Sequence, residues 1–157
     1  MTQDKFRTTV GFTLIELMAV VTILGILVVI AIPKFVDSLR ESKEASTKGG
    51  LGSIRSAIEI YYTDMEGEYP SDNLSSLTID AKYLSAIPPA KVADYHATTT
   101  VVEDNGFWAS TGPGDFGRWN YWNETIPGVG PLAGRNQGDL WVGCTHTDTK
   151  STLWSTY

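Results

Sequence analysis

Near the C-terminal end, Cys144, His146 and Asp148 alternate along the chain. In an extended strand all three would face one side, so the pattern reads as part of a metal site or as a thiol beside a base. A zinc site needs a fourth ligand and a turn-borne pair, and this spacing supplies neither. The expectation is therefore a buried cysteine next to a surface histidine, in a chain that is not an enzyme. Asp115, Asp139 and Asp148 occupy loop or strand-end contexts. Carboxylate oxygens in such places suit calcium, and solvated loop acids account for them as well. The glycines at 112, 114 and 117, and at 128, 130, 134 and 138, lack a preceding strand and the Gly-Lys-Ser/Thr ending of a phosphate loop, so they read as turns.

The other position that asks for a chemical reason is Glu16, the single charge in the 21 residues Phe12 to Ile32. As a helix this run is roughly 30 Å long, enough to cross the hydrocarbon of a bilayer. An acid inside such a segment costs about 2.5–3.5 kcal/mol and calls for a partner or a function. In front stands MTQDKFRTTVG, whose Lys5 and Arg7 favour a cytoplasmic N-terminus and place residues beyond Pro33 outside. A cleaved signal peptide, cut near Val29 and Ala31, is the ordinary alternative. Its apolar region would be shorter, roughly 7–15 residues, and would not contain an acid.

Gly11, Phe12, Thr13, Leu14, Ile15, Glu16 and Leu17, followed by the long apolar run and Pro33, resemble the leader and N-terminal segment of type IV pilins and type II secretion pseudopilins. The resemblance covers about residues 7–40. It implies that a prepilin peptidase/N-methyltransferase cuts between Gly11 and Phe12 and methylates the new amine of Phe12, while the apolar helix is retained. It further implies that Glu16 pairs with that amine on a neighbouring subunit and that the helix loosens around Pro33 in the filament. The implied partners are copies of the chain and related pilins in a homo-oligomeric filament, an inner-membrane assembly platform and membrane lipid. The implied location is the bacterial inner membrane, single-pass with the N-terminus cytoplasmic, and then a periplasmic or cell-surface filament. Major pseudopilins also carry calcium in a C-terminal loop. Their Asp-Pro-Trp-Gly stretch is absent here, with Asp115-Phe-Gly-Arg-Trp the nearest equivalent.

These residues must be positioned by an α+β chain: a long N-terminal hydrophobic helix packed against a small antiparallel sheet. The expected division is a leader over 1–11, a transmembrane and filament-core helix over 12–33, an amphipathic continuation over 34–66 and a globular head over 67–157. Leu51, Ile54, Ile58, Tyr61 and Met65 recur at helical spacing and predict the face that meets the sheet. Arg40/Glu44 and Glu44/Lys48 read as surface i, i+4 pairs. Gly49, Gly50 and Gly52 weaken the helix by propensity, yet continuation is expected. Gly67 and Pro70 should stop it, and Leu74 to Leu84 should add a short helical stretch. Thr98–Val102, Phe107–Ser110, Trp119–Trp122 and Leu140–Thr145 predict about four strands.

Twelve acids face five bases from residue 63 onward, and the chain carries a net charge of -6. A head of that sign with no Lys/Arg cluster is not expected to bind nucleic acid. The single cysteine excludes an intramolecular disulfide, so packing must hold the head. A membrane-tethered binding module, with loop aromatics as the ligand platform, is the alternative to a filament subunit.

Overall fold

The computed structural model describes residues 11–104, 114–125 and 133–157. The expected strand Phe107–Ser110 and the basic leader residues Lys5 and Arg7 lie outside the described residues. The chain divides into two compact units, one ending at Ser38 and one comprising Leu39–Tyr157.

A 51-residue helix, α1 (Leu14–Asp64), supplies most of the first unit and the spine of the second. In the first unit every residue from Gly11 to Ser38 is exposed, including Phe12, Ile15, Leu24 and Ile30. The helix satisfies its own backbone polar groups there, which is the condition for a segment that leaves water. Pro33 lies inside α1 and has no N–H to give the carbonyl of Val29.

In the second unit α1 buries Leu51, Ile54, Ala57 and Ile58, and Tyr61 packs beside them. Met65 falls just past the helix end and stays exposed. The helix continues through the glycine-rich stretch because one of those glycines is needed for packing. A Cβ on Gly50 would stand 3.1 Å from the Pro88 side chain and 3.5 Å from Trp119, whereas Gly49 and Gly52 face open space. Past the helix end, the Gly67 N–H donates to the Tyr62 carbonyl, and a 3-10 stretch follows at Ser75–Ala81.

The sheet has strands β1 (Val102–Asp104), β2 (Arg118–Tyr121) and β3 (Leu140–Gly143), in that order. The α+β architecture is the expected one, but the sheet is mixed. β2 and β3 are antiparallel, pairing Trp119 with Val142 and Tyr121 with Leu140, while β1 runs parallel to β2. A parallel neighbour requires a connection of a dozen or more residues, and the chain between Asp104 and Arg118 is long enough. The predicted strand at 98–102 begins only at Val102, with Thr99 bridging Ala90 before it.

Trp119 and Tyr121 lie on the sheet face toward α1, in one core with Leu74, Leu77, Val92, Val142 and Trp154. Their polar atoms are satisfied: the Trp119 indole N–H donates to the Pro88 carbonyl at 2.7 Å and the Tyr121 hydroxyl to the Pro70 carbonyl at 2.8 Å. On the opposite face Trp122 and Trp141 are buried together. The tryptophans among the described residues are therefore core, which removes them as an exposed ligand platform.

The C-terminal turn docks on the helix through polar groups. Glu44 is buried and accepts from the N–H (3.0 and 3.2 Å) and hydroxyl (2.7 Å) of Thr149. Lys48 reaches Asp148 at 2.5 Å. The expected solvent-facing charge pairs are thus only partly realised. Arg40 does meet Glu44 at 3.6 Å, but Glu44 and Lys48 point to the turn: the Thr149 N–H needs an acceptor, which Glu44 supplies, and the Asp148 carboxylate needs a donor, which Lys48 supplies.

Candidate functional site

Two groups of residues carry chemistry. The first is the start of α1. Thr13 precedes the first helical residue, and Glu16 folds back on it: the Thr13 N–H donates to Glu16 Oε2 at 2.9 Å and the Thr13 hydroxyl to the same oxygen at 2.7 Å. The Glu16 N–H returns a 3.3 Å bond to Thr13 Oγ1. This is a capping box, Thr-x-x-Glu, in which a carboxylate also meets the positive end of the helix. Sequence reasoning that treated Glu16 only as an acid in an apolar run missed it, although the Thr13/Glu16 spacing is the signal for it. Gly11, Phe12 and Thr13 lie outside the helix and are exposed, so the Gly11–Phe12 peptide is in accessible, non-helical backbone. α1 is long and apolar enough to cross a membrane, and none of its most apolar window is buried.

The second group is in the head. Cys144 and His146 do come together, with Sγ 3.5 Å from Nδ1. Cys144 is fully buried, which pushes its thiol up to about 11, while the His146 side chain is 38% exposed. Asp148 does not join them. β3 ends at Gly143, so the alternation that would hold 144, 146 and 148 on one side does not persist. Asp148 instead closes the C-terminal turn, accepting from the N–H groups of Lys150 and Thr152, both at 2.9 Å, from Lys48 at 2.5 Å and from the Tyr157 hydroxyl at 2.6 Å. Burial opposes its ionisation, but Lys48, Tyr157 and the two amides outweigh it and hold the carboxyl well below the usual range.

In place of Asp148 stand two residues that sequence reasoning did not connect with the pair. Asp115 Oδ1 lies 3.1 Å from His96 Nε2 and 3.4 Å from His146 Nδ1, and accepts the Thr145 N–H at 3.0 Å. No local spacing signals this, since three separate segments contribute. The three acids considered for calcium thus have separate partners: Asp115 these histidines, Asp139 the Asn136 N–H at 2.8 Å, and Asp148 the turn and Lys48.

No protein-family model matches the chain, and no solved structure matches it significantly. Curated relatives do. Fimbrial protein EcpC of Eikenella corrodens is 32% identical over 99 residues, 61% of this chain and 64% of that protein. The type IV narrow pilus major component PilA5 of Thermus thermophilus is 44% identical over 57 residues, 36% of this chain and 49% of that protein. Type II secretion system core protein G of Pseudomonas aeruginosa is 41% identical over 61 residues, 39% and 42% of the two chains. The chain thus spans about half to just under two thirds of the first of these relatives.

Proposed function

We propose that the chain, which is similar to type IV pilins and a type II secretion pseudopilin, is a structural subunit of a type IV pilus-like filament, anchored in the membrane through Phe12–Ile32 before assembly. The observation that carries this reading is the fully exposed apolar face of α1 with one acid at its start. An apolar helix that none of the described residues covers is suited to lipid or to other copies around it.

In this reading the Gly11–Phe12 bond is cut by a prepilin peptidase, and the amine of Phe12 is methylated. The new cation on one subunit pairs with Glu16 of the next. The capping box gives Glu16 a place to wait: Thr13 satisfies the carboxylate until an amine arrives. Pro33, which lacks a hydrogen-bond donor, is where the helix loosens as subunits pack. The assembly platform and peptidase are partners by family resemblance. A secretion pseudopilus is the second reading, supported by the similarity to core protein G.

Glu16→Ala tests the assembly step. Removing the charge eases partitioning into lipid, so mature-sized protein should accumulate in the membrane fraction while sheared filaments disappear. An unpaired amine in an apolar interface costs about 3–5 kcal/mol. Normal filament yield from Glu16→Ala refutes the pairing, and a mature chain whose mass does not begin at methylated Phe12 refutes the processing. Recovery from sheared surface filaments favours the pilus, and retention in the cell envelope the pseudopilus.

A further inference from the structure

We propose that His96, Asp115, Cys144 and His146 form a tetrahedral zinc site that staples the head. One ligand atom from each of these four side chains lies within 4.8 Å of every other. Bond lengths near 2.1 Å to nitrogen or oxygen and 2.3 Å to sulfur put tetrahedral zinc ligands about 3.4 Å apart for an N, O pair and about 3.6 Å for an N, S pair. The separations here are 3.1 and 3.4 Å for the two His–Asp115 pairs and 3.5 Å for Cys144–His146.

The arrangement is not that of a nucleophile with its base. In a triad the base contacts the nucleophile through one ring nitrogen and the acid through the other. Here the thiol and the carboxylate both approach Nδ1 of His146, so the donors cluster, all within 4.8 Å of one another, rather than forming a relay through the ring. Two imidazoles and a thiolate select zinc over calcium, which takes oxygen. Zn2+ displaces the Cys144 proton to solvent, and with one thiolate, one carboxylate and two neutral imidazoles the centre has no net charge, as partial burial requires.

The fold holds the ligands in place. The Phe116 and Gly117 N–H groups donate to the Gly143 carbonyl at 3.1 and 2.8 Å, which sets the Asp115 loop beside Cys144. Gly117, at φ +66°, lets that loop pass against His96: a Cβ there would meet His96 Cβ at 2.4 Å. Tyr95 stacks on the His146 ring with centroids 4.0 Å apart, which restricts the plane of that ring. A groove lined by His96, Thr99, Asp115 and Arg118 gives the ion a way in. A head with one cysteine can form no internal disulfide, and a metal joining the 95–96, 114–117 and 144–146 segments supplies a cross-link instead.

The test is titration of the detergent-solubilised full chain with Co2+ and then Zn2+. One equivalent of Co2+ should give the intense visible bands of a tetrahedral ion and a near-ultraviolet thiolate charge-transfer band, both removed by Zn2+. His96→Ala and His146→Ala should each weaken Zn2+ binding more than about 100-fold, since even losing a group behind a ligand costs 10–100-fold. Cys144→Ser should abolish the charge-transfer band, whereas Asp139→Asn should change nothing. Cys144 is buried, so if its variant misfolds by tryptophan fluorescence, His146→Ala, at an exposed side chain, decides. A weak six-coordinate Co2+ spectrum, no stoichiometric uptake, or unchanged affinity in His96→Ala overturns the proposal.

Discussion

Asp148→Asn isolates the polar junction between the C-terminal turn and α1. The asparagine oxygen can keep the Lys150 and Thr152 N–H bonds on Oδ1, whereas the contacts of Lys48 and Tyr157 with Oδ2 are lost. A hydrogen bond to a charged group contributes about 1.5–3 kcal/mol. Lys48 is 29% exposed and can partly rehydrate, which discounts its share. The expected loss is about 2–3 kcal/mol at neutral pH, a melting-point drop on the order of 10 °C for a domain of this size. Tryptophan fluorescence of the full chain reports it, because all five tryptophans lie beyond residue 107. The pH dependence fixes the cause. Asp148 has a depressed folded pKa, so its contribution is complete above the unfolded aspartate value of about 3.9 and is lost as pH falls through the folded one. The gap between wild type and variant should be flat from about pH 5 to pH 8 and narrow steadily below about pH 4. At the alkaline end, burial lowers the Lys48 pKa but its bonds to Asp148 and Tyr157 raise it further, so its contribution is lost only as pH rises through that raised value, above about 10.4. A gap under about 0.5 kcal/mol at pH 7, or one that does not shrink in acid, would refute the reasoning.

Thr47→Val should destabilise the head by about 1–3 kcal/mol in urea titrations, because the buried Thr47 hydroxyl accepts the Lys91 N–H at 2.8 Å and valine leaves that donor unpaired; Thr47→Ser should recover most of the loss. Gly50→Leu should lower the melting point sharply, by overpacking of about 1–3 kcal/mol against Pro88 and Trp119, while Gly49→Ala should raise stability by up to about 1 kcal/mol. Equal effects at the two glycines would show that propensity, not packing, governs this stretch. Ile54→Ala, at a side chain with no exposure, should cost about 2–5 kcal/mol in the same titrations.

What the sequence by itself determined is local and periodic. An apolar run of spanning length, the Thr13–Glu16 spacing, the stripe through Leu51, Ile54 and Ile58, and the stop near Gly67 all depend on neighbours within a turn or two of helix. The leader motif lies in the same contiguous stretch. The tertiary structure decided whatever required distant segments to meet. It set the parallel pairing of β1 with β2, turned Glu44 and Lys48 from surface pairs into docking groups, and separated Asp148 from Cys144 and His146. It also brought His96 and Asp115 to that pair, from positions whose spacing along the chain has no period. A side chain's direction follows from local backbone, but its partner across the fold follows from loop closure and core packing, which no local pattern encodes.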